Sequence, residues 1–288
     1  MKRLIVTGDD FGLSLPVNQA IEQAHREGIL NTTSLMVGAP AATDAVQRAR
    51  KLPGLKVGLH LAVTRCKPIL PQDQVRDLAD RDGELPQDLV RAGFSFFFMP
   101  RVKKQLAAEI RAQFEAFRAT GLTLDHVNAH NHMHLHPTVF ALILDIVRDY
   151  GLRAVRIPYE PPLCAWRATH DRLFSRLCLW MLLAPGVRLM QWRLRHAGIC
   201  SNDYLFGLSN SSSMARDTVL GFIKQLPDGV SEIYFHPAVR YVPGVRPHND
   251  PEACAMELDT LLCGEIRDEL KKLNIKTVSF SDIAIQQE

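Results

Sequence analysis

A chain of 288 residues with 47% hydrophobic and 23% charged residues has an ordinary globular balance, which excludes wholesale disorder and collagen-like repetition. A formal net charge of +3 is too small to argue for nucleic acid, and no such partner is expected. The six cysteines are scattered without a C-x-x-C pair, so they suit neither a zinc ribbon nor a disulfide framework and read as reduced thiols.

The opening M-K-R-L-I-V-T-G-D-D has only a short apolar run before Asp9, less than a secretion signal requires. No apolar run approaches the roughly 18 residues of a membrane-crossing helix, and the expected location is the cytoplasm. The first predicted strand, 3–8, runs into G-D-D-F-G and delivers Asp9 and Asp10. A helix over 17–27 and a strand over 33–38 follow. A third strand, 56–62, carries His60 in register with Lys56 and Gly58, opposite Val57, Leu59 and Leu61. The apolar cluster Phe94–Pro100 then leads to a helix over 102–119.

A fourth strand, 124–129, enters D-H-V-N-A-H-N-H-M-H-L-H-P, which holds five of the eleven histidines. Helix 139–150, strand 153–158 with Arg156, helix 215–225, strand 232–237 ending on His236, helix 253–272 and strand 276–280 complete the pattern. Repeated βα order implies a parallel sheet with outer helices. About seven strands and no visible linker fit an α/β fold of one domain over 1–288, a (β/α) barrel rather than a doubly wound sheet. In either architecture the active site gathers at the carboxyl ends of the strands.

In the histidine run His126, Asn128, His130, His132, His134 and His136 share even positions, so an extended chain would have one face almost entirely of imidazole. Same-face neighbours sit roughly 6.6 Å apart in a strand. One or two of these histidines could bind a given ion, and the others need different roles. Two imidazoles and a carboxylate with an open position make a hydrolytic metal site. His60, His130 and one of the two aspartates could supply it, leaving the second aspartate to take a proton from water.

The stretches T-G-D-D-F-G-L-S, G-L-H-L-A-V-T, H-V-N-A-H-N-H-M-H-L-H-P and Y-F-H-P-A, in that order over nearly the whole chain, resemble the YdjC-like carbohydrate deacetylases. Within them the chain looks most like the branch associated with hopanoid biosynthesis, through A-V-R-I-P-Y-E-P and D-Y-L-F-G-L-S-N as well. The resemblance implies a distorted (β/α) barrel, one divalent metal ion (zinc, magnesium or another transition metal) and hydrolysis of an N-acetyl group from an amino sugar. Carried over by position, Asp10, His60 and His130 would hold the metal and Asp9 would be the general base. His236 is the candidate acid for the departing amine, and Arg156 is expected to keep Asp9 ionised. Sugar-deacetylating relatives carry D-S-H where this chain has Asn128-Ala129-His130, so any role of that acid is lost here.

All three tryptophans, Trp166, Trp180 and Trp192, fall in 161–200 beside six arginines and a single acid, Asp171. With Leu177–Ala184 and the 94–100 cluster, this composition suits a membrane interface. Insertions at about 62–103 and 161–205 are expected to form a lid or a membrane-facing surface. The expected substrate is an amphiphilic glycolipid, an N-acetylglucosaminyl hopanoid, met by peripheral contact with the inner face of the cytoplasmic membrane. A soluble chitooligosaccharide, a phosphoester, or lipid binding without turnover are the alternatives.

Overall fold

The computed structural model describes residues 1–211, 213–240 and 250–285. In chain order its elements are β1 (Lys2–Phe11), α1 (Leu15–Glu27), β2 (Thr32–Leu35), α2 (Ala42–Arg50), β3 (Lys56–Leu61), α3 (Leu89–Phe98), α4 (Pro100–Ala119), β4 (Leu124–Ala129) and α5 (Pro137–Ile146). There follow α6 (Pro162–Thr169), α7 (Leu173–His196), β5 (Tyr204–Phe206), α8 (Arg216–Gln225), β6 (Gly229–Phe235), α9 (Pro251–Leu262), α10 (Gly264–Lys272), β7 (Lys276–Thr277) and α11 (Phe280–Ile285).

All strand pairings are parallel, in the order β4-β3-β2-β1-β6-β5, with β7 on the start of β1. β1 is central and buried from Leu4 to Phe11, as a strand covered on both faces must be. Parallel strands point every carboxyl end to one side, so Asp9, Asp10, His60, His130 and His236 come to a common rim. The sheet curls into a single-domain, distorted (β/α) barrel, as expected.

The expected strand over 153–158 is instead an irregular stave. Val127 N–H donates to Ala154 O and Arg156 N–H to Val127 O, both at 3.0 Å, while Val155 N–H donates to Cys200 O at 3.0 Å. Asn202 then pairs through its amide with both Ile157 N–H (2.7 Å) and Ile157 O (2.8 Å), and Leu205 N–H reaches Tyr159 O at 2.8 Å. This stave links β4 to β5, closing the barrel with single bridges and a side chain. Pro158 has no N–H to donate, which prevents a continuous ladder. The three-residue strand β5 is an addition to the sequence expectation.

Other boundaries move for local reasons. The expected helix 253–272 breaks at Cys263, which is extended at φ −65°, ψ 120°, and 139–150 tightens into a 3₁₀ turn after Ile146. The last strand stops at Thr277, with Phe280 already in α11. Helices α2, α3, α6 and α7 add to the helices expected from the sequence. None of the six cysteines forms a disulfide.

His126 belongs to the framework. Its ring stacks on Phe280 at 4.4 Å, its Nδ1 meets Asp125 Oδ2 at 3.0 Å, and Gly58 leaves room for it. A β-carbon at Gly58 would come 2.4 Å from the ring. Gly58→Ala is therefore expected to cost about 1–3 kcal/mol by overpacking. A urea melt with an unchanged midpoint would count against that packing role.

Candidate metal centre and active site

Asp9 and Asp10 lie near the end of β1, with Asp10 in the left-handed region at φ 64°. Asp10 Oδ1 lies 3.2 Å from His60 Nε2 and 3.0 Å from His130 Nδ1. One ligand atom from each of the three residues falls within 4.8 Å of the other two. Asp10 Oδ2 and His60 Nε2 are both buried and satisfy no hydrogen bond. Buried polar atoms normally have partners, and three donors converging on one point fit a small cation.

His60 is oriented from behind. Asn128, its register partner on β4, places Oδ1 2.7 Å from His60 Nδ1 and donates through Nδ2 to Asp9 Oδ1 at 3.1 Å. The Asp9 carboxylate can only accept, so the amide orientation is fixed and its oxygen receives the Nδ1 proton. The Nε2 lone pair is thereby presented to the centre, the usual way an outer partner sets a ligand imidazole. Ser34 on β2 completes this link, donating to Asp9 Oδ1 at 2.7 Å and lying 3.0 Å from His60 Nδ1.

Asp9 is gripped by Arg156, whose Nη1 reaches Oδ2 at 2.6 Å and Nη2 reaches Oδ1 at 3.0 Å. The same fully buried guanidinium pairs with Glu232 through Nε (3.0 Å to each oxygen) and Nη2 (2.6 Å), over the Tyr234 ring at 5.2 Å. Burial alone would raise the Asp9 carboxyl, but the Arg156 charge and hydrogen bonds outweigh it and hold Asp9 well below the usual carboxylate range. Among the described residues Oδ1 accepts three hydrogen bonds and Oδ2 one, so Oδ2 retains the open lone pair.

His236 follows β6 and is half-buried, with its ring 5.5 Å from Tyr234. The other histidines separate, because the chain does not stay extended. Asn131 and His132 adopt left-handed backbone at φ 53° and 52°, which turns the run out of the sheet after His130. His132 Nε2 lies 3.2 Å from the Tyr234 hydroxyl. Burial and the nearby Arg156 push its pKa down to about 3, leaving it neutral. His134 is buried in the interior, and His136 sits edge-on to Phe96 at 5.9 Å. Of the histidines in this run, only His130 reaches the candidate metal centre.

The loops after β1, β2 and β3 enclose a cleft of about 1140 Å³, with Leu13, Met36 and Ile69 among its apolar walls and Asp44, Arg65 and Gln87 among its polar ones. None of the six residues named from the sequence lines that cleft; they stand together at the carboxyl end of the strands. Ser34, Asn128, Glu232 and Tyr234 join them as partners the sequence reading did not assign. Glu232 and Tyr234 share one face of β6 by alternation, and His236 follows directly after the strand. An acid inside the apolar run E-I-Y-F was the available signal.

A model of the family described as YdjC-like protein matches residues 3–272. The chain belongs to the YdjC-like family. Among curated relatives, a carbohydrate deacetylase of Vibrio cholerae is 39% identical over 150 residues, 51% of this chain and 56% of that protein. One of Brevibacillus brevis is 36% identical over 157 residues, 54% of this chain and 60% of that protein. The chain thus spans a little over half the length of these YdjC-like relatives. A carbohydrate deacetylase of Thermoanaerobacter pseudethanolicus is 25% identical over 238 residues, 83% of this chain and 82% of its own. A crystal structure from Enterococcus faecalis V583, of a protein whose name refers to cellobiose-phosphate cleavage, shares the fold. It superposes with a TM-score of 0.73 at 22% identity, covering 98% of both chains.

Proposed function

We propose that this YdjC-like protein is a metal-dependent deacetylase that hydrolyses the N-acetyl group of an amino sugar. The observation carrying this reading is the convergence of Asp10, His60 and His130 beside the Arg156-clamped carboxylate of Asp9. The carbohydrate deacetylases among its relatives support it. A divalent ion held there would act as a Lewis acid toward the amide carbonyl and lower the pKa of water. Two imidazoles and a carboxylate suit zinc, with magnesium or another transition metal as alternatives for elemental analysis to separate.

In this mechanism Asp9 receives the water proton at Oδ2. Its stabilised negative charge makes it a weak base that is always ionised at working pH. Asn128 and Ser34 keep Oδ1 occupied, so transfer is directed to one oxygen. His236 delivers a proton to the departing nitrogen, which an amide needs because its anion is a very poor leaving group. General acid and base groups contribute about 10²–10⁴-fold each. Asp9→Asn is accordingly expected to reduce acetate release by that order while zinc binding is retained. Full activity in that variant would remove Asp9 from the chemistry.

The substrate reading is narrower: an N-acetylglucosaminyl hopanoid, processed at the cytoplasmic face of the membrane that holds it, as the resemblance to the hopanoid-biosynthesis branch implies. The resemblance in A-V-R-I-P-Y-E-P and D-Y-L-F-G-L-S-N supports it. Mass spectrometry with the glycolipid and with a chitooligosaccharide tests it. Acetate from the soluble sugar only would defeat the lipid assignment, and phosphate release without acetate would indicate a phosphoesterase.

A further inference from the structure

Two helices outside the catalytic rim expose apolar side chains that the fold does not use. In α3 only Ala92 and Phe96 are buried, while Val90 (84%), Phe94 (65%) and Phe98 (61%) face solvent. In α7 the buried face is Arg176, Ala184, Val187, Met190 and Leu194, and the opposite face presents Phe174, Met181, Leu182, Leu189 and Trp192. Exposed apolar area of this extent marks an interaction site. Both helices pack on the segment that leaves the ligand strand: Phe96 and Phe97 lie against His136, and Arg193 lies over Phe140.

Basic residues outnumber acidic ones around these faces, where Asp88, Asp171 and Asp203 are the acids. Residues 89–108 contain Arg91, Arg101, Lys103 and Lys104 and no acid, and 172–196 contain five arginines and no acid. Asp203 is a carboxylate that shares a hollow with Arg188 and Arg195. We propose that α3 and α7 together form a docking surface for an anionic lipid bilayer, with the apolar side chains entering the interface and the basic ones meeting head groups. This extends beyond the deacetylase reading and stands apart from it, since it concerns a surface none of the catalytic residues occupy.

Two alternatives fit less well. A second copy of the chain would bring like-charged basic rims together, which opposes association. By length and composition α7 would be long enough to cross a membrane, correcting the expectation that no run approaches that length. Yet Arg176, on its inner face, is held by Glu160 at 2.8 Å, Asp171 at 2.9 Å and Asn210 at 2.6 Å, and α3 has only ten residues. A helix tied into the barrel on one side and apolar on the other lies along a bilayer. The same geometry removes two members of the 161–200 tryptophan and arginine set from the interface: Arg176 is buried, and Trp180 is turned inward to hydrogen-bond Tyr159 at 3.2 Å. The contacts pass to Trp192, Leu182, Phe94 and Phe98.

The test is flotation of the full chain with phosphatidylcholine vesicles and with vesicles that also contain phosphatidylglycerol. Binding is expected to be about ten-fold stronger to the anionic vesicles and to weaken with salt. The pairs Phe94→Ser with Phe98→Ser, and Leu182→Ser with Trp192→Ser, should each lower binding about ten-fold, and Lys103→Gln with Lys104→Gln should lower it on anionic vesicles alone. Acetate release from a soluble chitooligosaccharide should be unchanged in all of them. Equal binding to neutral vesicles, or apolar pairs that bind as wild type does, would overturn the proposal. So would a dimer in sedimentation velocity that the apolar pairs dissociate, or protein that resists extraction by alkaline carbonate. A wild type that binds anionic vesicles but releases no acetate would sink the deacetylase reading and leave docking intact.

Discussion

Replacing Asp10 by Asn, or His60 or His130 by Ala, is expected to abolish acetate release and to weaken zinc binding by at least about 10²-fold, with the fold preserved. Each residue supplies one of three donors, and a catalytic zinc site needs three protein ligands beside its open position. The effect should be steepest for His60 and Asp10, which are almost fully buried; His130 stands at the open side. Asn128→Ala should weaken zinc by a smaller factor, about 10–100-fold, because it releases the Nδ1 proton that fixes the His60 lone pair. Titration of metal-stripped protein, alongside turnover, measures both. If the three ligand variants bound zinc as tightly as wild type, the ion would have to lie elsewhere and the site built on β1, β3 and β4 would be wrong.

The sequence made the barrel and most of its rim legible because both depend on short-range regularities. Apolar strands alternating with helices predict parallel pairing, and parallel pairing places every strand's end residue on one side. Asp9, Asp10, His60, His130, Arg156 and His236 could therefore be assigned to one end of the barrel without coordinates. What escaped depends on contacts that periodicity does not encode. The stave at 153–158 is irregular because Asn202 takes over pairing that Pro158 interrupts. The histidine run separates because two successive left-handed residues turn the backbone, so an argument from strand parity fails just past His130. Ser34 and Asn128 are ordinary residues by type, and their role comes from facing Asp9 and His60 across neighbouring strands. The helix α7 was read as a short apolar patch because its arginines interrupt the run, although one of them, Arg176, is an inward anchor.

Arg156→Met is expected to destabilise the protein by about 3–5 kcal/mol at neutral pH, the cost of breaking a buried charge pair from one side. Arg156 is the only described cation that reaches both Asp9 and Glu232 with hydrogen bonds, and removing it leaves two carboxylates facing each other in the barrel interior. The pH dependence should reverse in sign for Asp9. In wild type its folded pKa lies below the unfolded value of about 3.9, so its stabilisation is present above that value and is lost as pH falls through the depressed folded pKa. In the variant, burial is no longer offset by the guanidinium, and the folded pKa rises above the unfolded one. Protonation then favours the folded state, and the deficit should shrink as pH is lowered from 7 toward 5. Urea midpoints at the two pH values read this directly. A variant whose midpoint matches wild type at pH 7 would mean that the buried carboxylates find another partner, and Arg156 would lose its place as the group that keeps Asp9 ionised.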